Sequence, residues 1–359
     1  MTESQAYVAF NLTEKVGFAR VEALAASAGS VVEAWEAYPN KVARNGGEVD
    51  WERELKLARQ FGVTIVTPAD PGYPRQLAAA PGRPLALYVK GDVGVLSKPA
   101  IALVGTRRAT GYGLSVANRL AYDLAKAGWS IVSGLALGID GEAHRGALEA
   151  EGKTVGVIGS GLDRFYPEEN RRLAREIVGH GGAVVSEFPF GRPPDAQTFP
   201  IRNHVVAALA RGVVAVEAPH KSGTLITTSI AADLGRTVMA VPARIDNRMS
   251  AGCLQLIREG AVLVRHADDV LEAMSELFPQ PERTKESSPP SSDPETPPYS
   301  SEEALVMLHV DEDGVSIDEL VRLTKLPVDK VNSLAMSLRL KGFVRFLPGN
   351  RVGLLTQRR

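Results

Sequence analysis

Apolar residues run almost unbroken through IALVG (101–105), SIVSG (130–134), TVGVIG (154–159), AVVSE (183–187), VVAVEA (213–218) and TVMAVPA (237–243), with segments of helical length and periodicity between them. Strands apolar on both faces belong to a parallel sheet covered by helices on each side. The alternation therefore predicts an α/β fold, a Rossmann-like doubly wound parallel sheet. Right-handed crossovers bring the turns that follow its strands to one edge, where ligands bind.

The flanks differ in pattern. In residues 1–65, Val16, Phe18, Val21, Leu24 and Ala25 precede Gly29 and are followed by Val31, Val32 and Trp35, which predicts a small helical, SAM-like module. Residues 66–98 are punctuated by Pro and Gly, with TPADPGYPRQL and PLALYVKGD as extended pieces leading into the first core strand, so the central domain is expected over 66–278. PQPERTKESSPPSSDPETPP (279–298) is too poor in apolar residues to repay the entropy of ordering and reads as a disordered linker. Beyond it, residues 299–359 show a helix over Glu302–Leu308, then SIDELVRLT, then LPVDKVNSLAMSLRLKG, then two strands joined by Pro-Gly-Asn. Three helices and a hairpin predict a winged helix.

Composition narrows the function classes. The chain has 359 residues, 44% hydrophobic and 23% charged, and shows neither a secretory signal nor an 18-residue apolar run, so a cytoplasmic location is expected. Its one cysteine, Cys253, excludes an intramolecular disulfide framework and reads as a small core residue. With a net charge of −1, a nucleic-acid partner would have to be held by a local basic patch.

That patch is found in the turns. LVGTRRATGYG (103–113), SGLALGIDGEAH (133–144) and VIGSGLDRFYP (157–167) are glycine-rich turns that follow three predicted strands. Glycine lets the main chain approach a phosphate, and the helix that follows adds the positive end of its dipole. On the common edge Arg107, Arg108, Arg164, Tyr166, Arg171, Arg172, Phe199, Arg202, Asn203, Lys221 and Ser222 converge into a cationic groove with aromatics. Phosphates pair with Arg and Lys, and bases stack on Phe or Tyr. The pairing fits single-stranded nucleic acid. Phe188, Pro189 and Phe190 are expected to pack their loop against the body, Asp140 to cap the helix that carries a structural His144, and Asp163 and Glu187 to anchor neighbouring arginines.

Several chemistries lack their motifs. There is no GxxxxGK[ST], GTRRATGYG does not match GxGxxG, and GSGLDR lacks the third glycine. No cofactor, metal site or catalytic group is therefore expected.

YPRQL (73–77), LYVKGD (87–92), VGTRRATGYG, SGLALGIDGEAH, VIGSGLDRFYPEEN, SEFPFG, FPIRN and KSGTLITTSIAADLGR resemble the DprA/Smf family of bacterial natural transformation, in order and spacing through nearly all of residues 66–265. The resemblance implies a recombination mediator that binds incoming single-stranded DNA without sequence preference, protects it and loads the recombinase RecA. It also implies a homodimer formed through the Rossmann-like domain, with RecA contacted from nearby surface. Carried over by motif, Arg107 would be a principal phosphate contact, Gly105, Ser160 and Gly161 would supply close backbone approach, and Arg202 and Asn203 would line the same pocket. Two departures stand out. His204 occupies a place where the family usually has arginine, and PPDAQTFP lacks the lysine some relatives carry, which shifts weight to Arg107, Arg171 and Lys221. The alternative is a nucleotide-processing Rossmann-type hydrolase, whose PGGxGT stretch and following glutamate are replaced here by HKSGTLITTS. The winged helix exposes Asp329, Lys330, Asn332, Ser333 and Ser337 from its presumed recognition helix, a face too weakly basic for base reading. A partner-docking or auxiliary DNA role is expected there instead.

Overall fold

A computed structural model describes residues 1–39, 41–44, 46–277, 300–311, 314–341, 343–347 and 351–354. The chain forms two compact units, Met1–Pro281 and Glu282–Arg359. The expected linker lies outside the described residues.

The first unit begins with four helices, α1 (Glu3–Leu12), α2 (Phe18–Ala28), α3 (Val31–Ala37) and α4 (Trp51–Phe61). Thr2 and Gln5 close a reciprocal capping box that starts α1. Phe10 from α1 is buried and meets Trp35 and Tyr38 edge-on at 5.1 and 5.6 Å, so aromatic packing holds these short helices together. The expected seam at 65/66 falls inside strand β1 (Thr64–Val66), which pairs with β2 (Leu87–Gly91) after the short helix α5 (Arg75–Ala78).

The α/β region follows as β3 (Ala100–Gly105), α6 (Gly111–Lys126), β4 (Ser130–Ser133), α7 (Ile139–Glu149), β5 (Thr154–Val157), α8 (Arg171–Gly179), β6 (Ala183–Ser186), α9 (Thr198–Leu209), β7 (Gly212–Glu217), α10 (Gly223–Asp233), β8 (Thr237–Ala240), α11 (Ala251–Arg258), β9 (Val262–Leu263) and α12 (Ala267–Leu277). The sheet order is β1-β2-β6-β5-β4-β3-β7-β8-β9, parallel from β6 to β9 and antiparallel at β1 and β2. It is a doubly wound Rossmann-like sheet. Alternation along β3 divides the core: Ile101 and Leu103 pack with Leu120, Leu124 and Val270 on one face, and Ala102 and Val104 with Val205, Val206 and Ala231 on the other. Both faces are covered, which explains why these strands are apolar throughout.

Strand order reverses between β3 and β7. The chain winds outward from β3 through β4, β5 and β6, then returns to lay β7 on the opposite side of β3. The loops leaving β3 and β7 therefore diverge, and a crevice opens between them at the carboxyl edge. Close packing beneath the edge depends on missing side chains. Gly138 has φ +77, and a Cβ on it would stand 2.4 Å from the Thr106 carbonyl, so only glycine lets the turn before α7 lie against the Thr106–Arg107 turn.

The second unit contains α13 (Ser301–Met307), β10 (Val315–Ser316), α14 (Ile317–Thr324), α15 (Val328–Leu340), β11 (Val344–Leu347) and β12 (Arg351–Leu354). Its sheet order is β10-β12-β11. Val306, Ile317, Leu320, Val331, Leu338, Val344 and Val352 form its core, a winged-helix arrangement. The Pro-Gly-Asn turn lies outside the described residues.

Candidate nucleic-acid interface

The crevice between β3 and β7 is a cleft of about 320 Å³ that gathers seven of the predicted residues: Gly105, Arg107, Arg108, Phe199, Arg202, Asn203 and Ser222. They come from three places in the chain. Arg107 and Arg108 leave β3, Phe199, Arg202 and Asn203 project from the first turns of α9, and Ser222 stands at the start of α10. Val104, Thr106, Ala136, Asp140, Gly223, Thr224 and Thr227 complete the wall.

Arg107 is exposed, and its guanidinium lies 4.8 Å from the centre of the Phe199 ring. Among the described residues it has no carboxylate within ion-pair reach. Cation–π contact fixes its direction without neutralising it. Tyr166 stands 6.2 Å from Phe199, ring centre to ring centre, and the two border a small notch with Leu137 and Pro167 that shares Arg107, Phe199 and Arg202 with the main cleft. The cleft and the aromatic notch thus share these three side chains and Ala136.

Arg202 is 7% exposed, and its Nε has no hydrogen-bond partner among the described residues. Its counter-charge is Asp140, with Nη1 3.8 Å from Oδ2. Burial pushes the Asp140 carboxyl up and the Arg202 guanidinium down, and each charge opposes the shift of the other. Asp140 is not the helix cap: Gly138 holds that position, and the Asp140 carboxylate folds back to accept hydrogen bonds from backbone N–H groups, with Gly134 N at 3.1 Å. The glycine-rich turn after β4 is therefore filled by an anion from its own helix. A second internal anion sits after β3. Glu217, 1% exposed, accepts from Thr110 N at 2.8 Å and Thr110 Oγ1 at 2.9 Å over the start of α6. By contrast α10 begins without a side-chain cap, and the Ser222 Oγ is buried and unpartnered. Of these three helix starts, α10 is the one left for an outside anion.

The remaining predicted residues lie elsewhere or are engaged. Ser160 is fully buried with its Oγ unpartnered, and its carbonyl accepts from the Ser186 hydroxyl at 2.7 Å. The Gly161 N–H donates to the Arg192 carbonyl at 2.9 Å, and a Cβ there would stand 2.5 Å from the Pro189 carbonyl. Both are packed beneath the edge, and neither lines the cleft. Gly105 is shaped by its neighbour too, since a Cβ would strike Ile139 at 2.4 Å. Arg164 lines a different cleft, against α4 and the 189–193 loop, 3.6 Å from Asp163. Arg171 makes a two-point bond with Glu168 at 2.6 and 2.7 Å, Arg172 bonds Glu176 through Nε at 2.8 Å, and neither lines the cleft. Lys221 is exposed next to Ser222 but does not line the cleft.

The supporting residues follow their packing. Phe188 is buried, and Phe190 stacks on Phe61 at 5.3 Å. Asp163 accepts from Gly191 N at 2.8 Å, and burial pushes the Glu187 carboxyl up to about 7 against the pull of Arg44. His144 is buried, with Nδ1 2.7 Å from the Thr154 hydroxyl and its pKa held down to about 3 by desolvation. His204 turns away from the cleft, and its Nε2 bonds the Pro81 carbonyl at 2.8 Å. Cys253 is a buried thiol pushed up to about 12. Among the described residues no cluster of His, Cys, Asp and Glu could hold a metal, and no helix is long and apolar enough to cross a membrane.

In the second unit the cations of α15 are largely engaged. Lys330 pairs with Glu302, and Lys341 bonds both oxygens of the buried Glu303 carboxylate at 2.7 and 2.8 Å. Arg339 lies over Phe346 at 5.4 Å. Ser337, expected on the open face, is half-buried and donates to Glu303.

Residues 64–275 match the family model for DNA recombination-mediator protein A, and residues 288–350 match that for the DprA winged helix domain. The chain is 34% identical over 325 residues to Protein Smf of Synechocystis sp., covering 83% of this chain and 81% of that protein. Among solved structures it is similar to DNA processing protein A from Streptococcus pneumoniae, with a TM-score of 0.64 and 33% identity over 76% of this chain and 98% of the other. It is also similar to DNA processing protein A from Helicobacter pylori, whose structure concerns its single-stranded DNA binding mode, with a TM-score of 0.53 and 28% identity over 60% of this chain and 96% of the other.

Proposed function

The chain belongs to the DNA recombination-mediator protein A family, and from that membership we propose that it binds single-stranded DNA without sequence preference through the cleft between β3 and β7, protects the strand, and delivers it to RecA. One observation carries the reading: Arg107 stands exposed over Phe199 beside Arg202, a buried guanidinium whose Nε has no hydrogen bond. A phosphate satisfies the two guanidiniums, and a base on the aromatic notch adds about 1–3 kcal/mol of stacking. Neither contact depends on which base is present. The two carboxylates nearest the cleft are both engaged, Asp140 by backbone N–H groups and Arg202, Glu217 by Thr110 and Asn247. This supports binding without hydrolysis.

Delivery to RecA, a homodimeric state and a cytoplasmic location belong to the same reading and rest on family membership. The winged helix, with Lys330 and Lys341 neutralised within its own unit, fits a protein-docking role better than base recognition. The test uses the full-length chain, with mobility shifts on single strands of several sequences and on duplexes of the same length, then RecA filament growth on strands coated with single-strand binding protein. Preference for single strands, equal across sequences, with faster filament growth is expected. Equal binding of duplex and single strand, or a single preferred sequence, would refute it.

A further inference from the structure

The cleft has features that one backbone phosphodiester does not exhaust. Three guanidiniums, Arg107, Arg108 and Arg202, line it against one carboxylate, Asp140, which leaves two positive charges. A backbone phosphodiester carries one negative charge, whereas a phosphate monoester carries about −1.5 to −2 at neutral pH. The donors also exceed what two non-bridging oxygens use: the Gly223 and Thr224 N–H groups that open α10 without a side-chain cap, the unpartnered Ser222 Oγ and the unpartnered Nε of Arg202. Three terminal oxygens would satisfy more of them. A volume of about 320 Å³ falls in the range of small-molecule sites. Beside it, Tyr166 and Leu137 remain exposed with no partner ring other than Phe199 among the described residues.

We infer that this cleft also takes a single nucleoside 5′-monophosphate unit, its phosphate at the first turn of α10 against Arg202 and Ser222 and its base over Tyr166 and Leu137. The inference rests on the assignment of the cleft to a nucleotide polyanion and goes beyond it, since such a ligand competes with the strand for the same donors. Free nucleotide and the 5′-phosphorylated end of a strand present this chemistry equally.

Calorimetric titration of the full-length chain with 5′-dTMP, thymidine and inorganic phosphate tests it. Saturable binding of 5′-dTMP at least tenfold tighter than either half is expected, together with displacement of a labelled oligo-dT. Ser222→Asp places a favourable helix cap, and with it a negative charge, where the phosphate would sit. It should weaken 5′-dTMP at least tenfold while the melting temperature holds. Tyr166→Ala, at an exposed position, should reduce 5′-dTMP to the affinity of inorganic phosphate. Binding of 5′-dTMP no tighter than phosphate, or undiminished in Ser222→Asp, overturns the inference. Tighter binding of a 5′-phosphorylated than of a 5′-hydroxyl oligo-dT identifies the strand end as the source, and equal binding identifies free nucleotide. Long 5′-hydroxyl oligo-dT separates the two claims: if it binds through Arg107 while 5′-dTMP does not bind, the inference alone falls, and if it does not bind, the proposed function falls.

Discussion

Arg107→Gln removes one full charge from the cleft and leaves the fold alone. The side chain is exposed, touches the Phe199 ring at 4.8 Å, and among the described residues holds no carboxylate. A hydrogen bond to a charged group is worth about 1.5–3 kcal/mol, so its loss lowers affinity for single strands about 10- to 100-fold. The salt dependence changes with it. Each phosphate neutralised on a single strand contributes a slope of about −0.7 to log affinity against log salt, and the variant should be shallower by about that amount. Fluorescence anisotropy with labelled oligo-dT and mixed-sequence strands, titrated at several salt concentrations, reads both quantities. Every sequence should lose affinity alike. Arg172→Gln is the matched control, because Arg172 bonds Glu176 at 2.8 Å and lies outside the cleft. An unchanged slope in Arg107→Gln, or an equal loss in Arg172→Gln, would refute the placement of the site.

Three further outcomes follow from the packing and the buried charges. Gly146→Ala on α7 would set a Cβ 2.1 Å from the Asn118 carbonyl oxygen of α6, and because that oxygen is backbone, urea denaturation should register a loss of about 1–3 kcal/mol. His144 is held neutral down to about pH 3, so the unfolded chain binds its proton near 6.5 and the folded chain does not. Stability should therefore fall as pH drops from about 6.5 toward 3, by at most about 1.4 kcal/mol per pH unit from this group, and His144→Gln should flatten that slope in urea midpoints. The Glu303 carboxyl is held down to about 2 by Lys341, Ser337 and the Ser300 N–H, so its contribution to the winged helix is present above the ordinary carboxylate range and is lost as pH falls toward 2. Hydrogen exchange of α13 and α15 in the full chain, corrected for intrinsic rates, should show protection declining over that window, and Lys341→Met should remove the decline.

The sheet was legible because burial on both faces leaves a continuous apolar signature, and the parallel order follows from helices of crossover length between the runs. The edge was legible only in part. Arg107, Phe199 and Arg202 could be grouped from topology, since the loops after β3 and before α9 must reach the same rim. Ser160 and Gly161 looked alike to Gly105 in sequence, yet the Arg192 carbonyl takes the Gly161 N–H. That contact comes from a loop thirty residues downstream, and no local pattern announces it. The pairs Arg171–Glu168 and Arg172–Glu176 were readable in principle, because i,i+3 and i,i+4 spacings place opposite charges together on a helix. Asp140 misled for a subtler reason: a residue suited to capping sits two positions past the cap, within the first turn, and the chain uses its carboxylate to fill the preceding turn instead.

The two carboxylates seated beneath the rim have a mechanical consequence. Because Glu217 and Asp140 already satisfy amides of the turns after β3 and β4, the rim is shaped by the chain's own groups, and a strand bound as proposed would meet a finished mould. Little ordering is left for the encounter to supply. Capture speed should then depend on how often charged partners collide and hardly at all on rearrangement within the receptor.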